Sequence, residues 1–157
     1  MTPTDPPTTP GSTESVLLIA HGSRNPAAAV DHERLCEQVA RSAGVAVRPA
    51  YLELSEPSVT DAVAAVVAEG ATRVRLVPLF LHTGNHVQRD LPALAEAARA
   101  AHPGVEIALD EHVGADPGLV TLVAARLAPA TAATTAPATA APTAPATAPA
   151  TARAPGS

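Results

Sequence analysis

Three residues with metal-binding side chains each follow a hydrophobic run that predicts a β-strand. His21 follows V-L-L-I-A, Glu53 ends the segment V-A-V-R-P-A-Y-L-E, and His86 comes shortly after R-V-R-L-V-P-L-F-L. Because the carboxyl ends of neighbouring parallel strands open onto one crevice, we expect these side chains to converge there. Two imidazoles and a carboxylate are ligands that suit a divalent transition metal. The spacing therefore predicts a metal site at the edge of an open sheet.

Strand and helix patterns alternate along the chain and predict an α/β fold. The apolar runs predict strands at 16–20, 45–53, 73–81 and 105–109. The helices that follow them are expected to begin at four start signals: Asn25-Pro26, Pro57 with the S-x-x-D box after it, Asp90, and Asp116-Pro117. Right-handed crossovers then give a three-layer fold, in which helices cover both faces of a four-stranded parallel sheet.

The first two predicted helices carry apolar stripes at helical spacing. The first stripe is expected to face the sheet through Ala28, His32, Leu35, Val39 and Ala43. The second is expected to do so through Val59, Ala62, Val63, Val66 and Val67. We accordingly interpret His32 as a core or edge histidine, and Cys36 beside it as a small buried hydrophobe.

Composition divides the chain into one domain and two tails. Residues 1–14 are rich in Pro and Thr, and residues 129–157 are almost entirely Ala, Pro and Thr with Arg153 as the only charge. Such segments lack large apolar side chains to bury, so we expect a disordered N-terminal tail and a low-complexity C-terminal tail. The predicted α/β domain spans residues 15–128 and is long enough for a single core.

Charge and cysteine usage exclude several classes of function. The formal net charge is −5 and all ten cations are arginines, so no basic field predicts a nucleic-acid partner and no lysine Schiff base is available. A single cysteine excludes an internal disulfide and a cysteine-ligated iron–sulfur cluster. No apolar run is long enough to span a membrane and no secretory leader pattern opens the chain, so we expect a cytoplasmic protein without a membrane partner.

The turns beside the predicted ligands hold further candidate residues. Gly22 and Ser23 lie where the first strand leads into the first helix, a corner whose free N–H groups attract anions. Arg24 and Arg89 lie beside the two histidine loops and are candidates for binding substrate carboxylates, the alternative being plain surface charge. Asp90 is interpreted as the cap of the third helix.

Two of the site residues keep alternative interpretations. Glu53 either caps the turn that follows it, or points into the crevice as a ligand or proton acceptor. His82 lies four residues before His86, but Gly84 between them favours a loop, so both cannot be assumed to bind and His82 is interpreted as a rim residue.

Three motifs in order give the chain a resemblance to a known family. They are A-H-G-S-R-N-P, Y-L-E-L-S-E-P and V-P-L-F-L-x-x-G-x-H-V-x-x-D-L-P. The sequence between Val16 and Leu127 resembles the sirohydrochlorin chelatases of the CbiX type. The resemblance implies a chelatase-like fold with flavodoxin-like winding, and a lyase that inserts cobalt or ferrous iron into sirohydrochlorin for cobalamin or siroheme synthesis. Nickel is a further candidate metal, and no cofactor is expected beyond the substrate metal.

By that resemblance His21 and His86 are the metal-binding histidines and Glu53 is the site glutamate, all three being catalytic. Whether Glu53 binds the metal or accepts a proton stays open, and the family pattern gives His82 no role. Gly22, Ser23, Arg24 and Arg89 are the residues expected to bind the tetrapyrrole.

The chain departs from the family in size. Many relatives carry two copies of this α/β unit, whereas one copy is present here. Half-size relatives imply a homodimer that rebuilds the two-lobed cleft, with C2 symmetry as the commonest closed arrangement; loss of the second lobe with impaired activity is the alternative. The competing function is a non-catalytic carrier of a divalent metal, which needs the histidines but no tetrapyrrole cleft.

Overall fold

The computed structural model describes residues 13–127. Within that range helices alternate with the four strands of a single sheet. The elements are β1 (Glu14–Ala20), α1 (Pro26–Ala43), β2 (Ala46–Tyr51), α2 (Val59–Ala68), β3 (Arg73–Pro78), a π-helical turn (His86–Asp90), α3 (Leu91–Ala101), β4 (Glu106–Leu109), a 3₁₀ turn (Val113–Ala115) and α4 (Pro117–Leu127). No helix in this part of the chain is long and apolar enough to cross a membrane.

The strands of the described residues pair in the order β2-β1-β3-β4, and every pairing is parallel. This is the first part of a flavodoxin-like winding, so the predicted fold class is confirmed. β1 lies between β2 and β3, and that central position places the residue after β1 next to the exits of two other strands. β2 and β3 are shorter than predicted, ending at Tyr51 and Pro78.

The main core lies between the sheet and helices α2 and α3. Leu17 and Ile19 of β1 and Leu76 of β3 are fully buried against Val63 of α2 and Ala95 of α3. Burying a large aliphatic side chain contributes roughly 1.5–3 kcal/mol. The predicted stripe of α2 is confirmed, since four of its five members are buried.

Helix α1 covers the opposite face of β1 and β2, and its predicted stripe is confirmed only in part: His32 is buried and Leu35 half-buried, but the other members are exposed. Ala28 and Val39 are exposed, whereas His32 and Cys36 are the buried residues of the helix. The reason is a polar contact, because a ring nitrogen of His32 lies 2.9 Å from the carbonyl oxygen of Leu18. That contact turns the helix so that a histidine and a cysteine face the sheet, as interpreted for both residues.

Local signals set the starts of α1 and α2 as predicted. The Asn25 side chain accepts a hydrogen bond from the backbone N–H of Ala27, and Gly44 closes α1 in the left-handed conformation at φ 70°. The Ser58 side chain caps α2 by accepting from Asp61. These bonds satisfy backbone groups that a helix leaves unpaired at its ends.

The N-terminal boundary of the domain lies slightly earlier than predicted. Glu14, assigned above to the tail 1–14, is the first residue of β1, and the Thr13 carbonyl accepts hydrogen bonds from the backbone N–H groups of Thr72 and Arg73. Pairing with β3 and the residue before it thus orders Thr13 and Glu14 despite their composition. The predicted tail 129–157, and the rest of the N-terminal tail, lie outside the described residues.

Candidate metal centre

The three predicted ligands come together at the carboxyl edge of the sheet. His21 is the first residue after β1, Glu53 lies two residues beyond β2, and His86 opens the π-helical turn after β3. One ligand atom from each lies within 4.8 Å of the others. A single ion can therefore contact all three side chains after small rotations.

Backbone pairing beyond the ends of the strands accounts for this convergence. The N–H of Leu52 donates to the carbonyl of Ala20, and that of Glu53 donates to the carbonyl of His21, both at 2.9 Å. These two bonds continue the β1–β2 ladder by two residues and hold the Glu53 backbone directly beside that of His21. On the other side of β1, the N–H of Leu79 donates to the Ile19 carbonyl at 2.7 Å.

Gly22 has a structural role in this contact. Its φ is +96°, and a Cβ built there would lie 1.7 Å from the backbone oxygen of Glu53. Only glycine permits the loop after β1 to approach the loop after β2 so closely. Leu54, the next residue after Glu53, also has positive φ (60°), a strained conformation for a branched side chain of the kind that clusters at functional sites.

The exposure and orientation of the side chains suit a site that receives an ion from solution. The rings of His21 and His86 lie edge to face, with centroids 5.0 Å apart. Both rings are partly buried, while Glu53 is exposed. Three protein ligands leave the other coordination positions of a divalent metal for water or substrate.

The prediction that Asp90 caps α3 is wrong. It adopts helical φ and ψ and makes no capping hydrogen bond to α3, because the π-helical turn joins α3 without a break. Its carboxylate instead contacts His86, with Oδ2 2.7 Å from Nδ1. The spacing of four residues between His86 and Asp90 is the signal in the sequence that points to this contact.

The remaining predicted site residues lie around the cluster with different partners. Ser23 bonds to Ser55, whose Oγ accepts from the Ser23 N–H and donates to the Ser23 carbonyl, each at 3.1 Å. This reciprocal pair ties the loop after β1 to the loop after β2. His82 is exposed and stands outside the cluster. Arg24 and Arg89 are exposed, and neither forms an ion pair within residues 13–127.

Two depressions flank the cluster. The smaller, about 180 Å³, lies on the α1 side and includes His21, Gly22, His32 and Tyr51 in its lining. Burial raises the pKa of the Tyr51 phenol, so this side chain stays neutral. The larger, about 390 Å³, lies on the α3 side, where its lining is Leu52, Glu53, Asp90, Ala93 and Leu94.

The described residues thus form a parallel α/β sheet whose carboxyl edge carries two histidines and a glutamate, a candidate metal centre. The sequence model of the CbiX family matches residues 15–130. The chain therefore belongs to the CbiX family.

The curated relatives of this chain differ in length, as two of them show. The sirohydrochlorin ferrochelatase of Priestia megaterium is 30% identical over 115 residues, which are 73% of this chain and 43% of the relative. The sirohydrochlorin cobaltochelatase of Methanopyrus kandleri is 29% identical over 137 aligned positions, which are 74% of this chain and 96% of the relative. The chain spans about half the length of several curated relatives that it matches.

Solved structures are similar to this chain in fold as well as in sequence. A CbiX protein from Marinobacter aquaeolei superposes with a TM-score of 0.64 at 35% identity, over 73% of this chain and 93% of that one. The sirohydrochlorin chelatase SirB from Bacillus subtilis subspecies spizizenii, solved in complex with cobalt, gives 0.64 at 30% identity, over 73% and 50%. These similarities confirm the fold class and the family.

Proposed function

We propose that this protein inserts a divalent metal, cobalt or ferrous iron, into sirohydrochlorin, as a lyase of cobalamin or siroheme synthesis. The observation that carries the proposal is the cluster of His21, Glu53 and His86, whose ligand atoms lie within 4.8 Å of one another in a chain of the CbiX family. The names of the relatives, ferrochelatase and cobaltochelatase, supply the substrate class.

In the proposed reaction the two imidazoles replace some of the waters of the arriving ion and hold it next to Glu53. Positioning the ion against the macrocycle makes transfer effectively unimolecular. Two pyrrole N–H protons leave as the four ring nitrogens bind the metal, so charge is conserved. Glu53 is exposed and lines the depression, which allows it to ligate the ion or to accept one of these protons.

The substrate carboxylates need cationic partners on an acidic protein. We propose that Arg24 and Arg89 bind them, since both guanidinium groups are exposed and neither is engaged in an ion pair within the described residues. Gly22 and Ser23, whose backbone adjoins the first histidine, complete the proposed contact surface on the α1 side.

We further propose that the protein acts as a homodimer. The larger depression, about 390 Å³, is near the lower limit for a site that encloses even a drug-sized ligand, so a second copy would be needed to cover a tetrapyrrole. Helix α4 offers a surface for that copy. Its Val120, Val123 and Leu127 are 72%, 49% and 78% exposed and form one stripe at helical spacing. The cytoplasmic location stays a prediction.

The test is an anaerobic insertion assay with sirohydrochlorin and Co²⁺, Fe²⁺ or Ni²⁺, followed by the absorbance of the macrocycle. His21→Ala and His86→Ala should each lower the enzymatic rate by at least about 100-fold, equivalent to roughly 2.7 kcal/mol of lost stabilisation. His82→Ala is the matched control, because His82 lies four residues before His86 but outside the cluster. This variant should retain the rate of the wild type.

Two outcomes would contradict the proposal. Unchanged rates in both ligand variants would remove the mechanism. Tight metal binding by the wild type with no change in macrocycle absorbance would instead identify a carrier of divalent metal. The comparison of the three metals ranks them as substrates in the same experiment.

A further inference from the structure

Asp90 makes the closest polar contact recorded for any of the three candidate ligands. Its Oδ2 lies 2.7 Å from Nδ1 of His86. We propose that Asp90 is a positioning residue, whose carboxylate fixes the tautomer and the ring orientation of His86 so that Nε2 faces the metal. This inference rests on the metal site of the proposed function and adds a residue that acts on the metal only through a histidine.

The π-helical turn places the two residues for this contact. His86 is its first residue and Asp90 its last, and the turn closes with a bond from the Leu91 N–H to the His86 carbonyl. Residues four apart in a helix lie above one another, so the carboxylate stands next to the ring. π-helical segments are rare, and those that interrupt α-helices are frequently found at functional sites.

The chemistry of the two groups determines which nitrogen is left for the ion. An ionised carboxylate can only accept hydrogen bonds, so the Nδ1 that it contacts must carry the proton of a neutral imidazole. Nε2 is then the nitrogen with a free lone pair, the form that a metal binds. Histidine ligands commonly have such a carboxylate partner, which sets the ring and increases ligand basicity.

The contact has no evident structural role. The side chains of His86 and Asp90 are 36% and 49% exposed, and an exposed pair of this kind contributes little to folding stability. Asp90 makes no capping bond to α3, and it does not belong to the ligand cluster. Substitution should therefore change metal affinity much more than it changes stability.

Within residues 13–127, His21 has no equivalent partner. Its Nδ1 lies 3.4 Å from the carbonyl oxygen of the adjacent Gly22, which is long for a hydrogen bond. The contact of Asp90 with His86 is thus shorter than the contact that His21 makes with Gly22. We therefore expect loss of the Asp90 carboxylate to weaken metal binding more than loss of the His21 contact would.

The experiment compares the wild type with Asp90→Ala, Asp90→Glu and a control, Glu37→Gln. Glu37 is an exposed carboxylate in an i,i+4 ion pair with Arg41 on α1 (3.6 Å). Co²⁺ titration without sirohydrochlorin, followed by visible absorption, gives the metal affinity. We expect Asp90→Ala to weaken it by about 10- to 100-fold, Asp90→Glu to recover a large part by restoring a carboxylate, and Glu37→Gln to match the wild type.

A second readout uses the metal-free protein. Nitrogen-15 NMR of the histidines at mildly alkaline pH, with His86→Ala for assignment, reports the tautomer of His86. We expect the Nδ1–H form in the wild type and a shift toward the Nε2–H form in Asp90→Ala, with thermal unfolding nearly unchanged. A merely structural contact would move the unfolding temperature and leave the tautomer as it was.

Each result bears on the proposal separately from the chelatase activity. Co²⁺ affinity of Asp90→Ala within twofold of the wild type, an unchanged tautomer, or no Co²⁺ binding by the wild type would overturn it. If the wild type binds Co²⁺ with the predicted dependence on Asp90 but inserts no metal into sirohydrochlorin, the proposed function fails and the positioning role stands.

Discussion

At the scale of single residues, Gly22 links backbone conformation to the metal centre. A Cβ at this position would lie 1.7 Å from the Glu53 carbonyl oxygen, and φ is +96°. Gly22→Ala must therefore push the two loops apart. We expect it to lower the free energy of unfolding by about 2–4 kcal/mol and to weaken Co²⁺ binding at least tenfold, as measured by urea unfolding and metal titration.

Gly44→Ala is the matched control for that substitution. Gly44 also has positive φ (70°), but no atom of residues 13–127 lies within 4 Å of a Cβ built there. Only the conformational cost remains, about 1–2 kcal/mol, and Co²⁺ affinity should be that of the wild type. Equal effects of the two substitutions on metal binding would show that contact with Glu53 does not shape the site.

Cys36 gives a prediction for pH at the same scale. Burial raises the pKa of its thiol from 9.0 to about 11, so the unfolded chain loses this proton first as pH rises. The free energy of unfolding should hold below pH 9 and decline as pH rises toward 11. Urea unfolding across this range measures the decline, which should be smaller in Cys36→Ala, where the raised pKa of the Tyr51 phenol still contributes. An equal decline in both proteins would assign it to another group.

At the scale of elements, the loops after β1 and β2 are joined by side chains as well as by backbone. Ser55 Oγ makes both bonds to the Ser23 backbone, at 3.1 Å. Ser55→Ala should cost about 1 kcal/mol of stability and weaken Co²⁺ binding several-fold, because Glu53 lies in the loop that is released. Metal titration and urea unfolding test both expectations.

Ser58→Ala separates the loss of folding stability from the loss of metal affinity. Ser58 caps α2 by accepting from the Asp61 N–H at 3.2 Å, so its loss also costs about 1 kcal/mol. The cap belongs to the helix and not to the joined loops, so metal affinity should be retained. A similar loss of affinity in both variants would mean that general destabilisation, and not the loop contact, governs the site.

At the scale of the whole molecule, α4 carries a stripe of exposed apolar side chains. None of its residues is buried, and Val123 lies in the middle of its exposed stripe. Val123→Glu should convert the proposed dimer to monomers, because a charge in an apolar interface is costly to desolvate. Light scattering coupled to size exclusion measures the mass, and the insertion assay should show a parallel loss of rate.

Val30→Glu is the control for the dimer. Val30 on α1 is 53% exposed, close to the 49% of Val123, so the two substitutions place the same charge at similar exposure. Val30→Glu should leave mass and activity unchanged. A monomeric wild type with full activity, or a Val123→Glu protein that remains dimeric, would contradict the proposed interface.

Much of this architecture was predictable because the signals that set it are local. The caps at Asn25 and Ser58 and the period of α2 depend on neighbouring residues, and the structure has them as predicted. The order of strand exits also predicted that His21, Glu53 and His86 would converge, because parallel strands expose their carboxyl ends on one edge.

Other features depended on contacts between residues far apart in sequence, and only the tertiary structure decided them. The bond from His32 to Leu18 set the rotation of α1, and the approach of Glu53 to Gly22 followed from the register of β1 against β2. Asp90 became a partner of His86 because the turn after β3 continued into α3 without a cap. Sequence alone determined which candidate ligands are present and on which edge they lie, whereas packing determined the distances between them and the contact of His86 with Asp90.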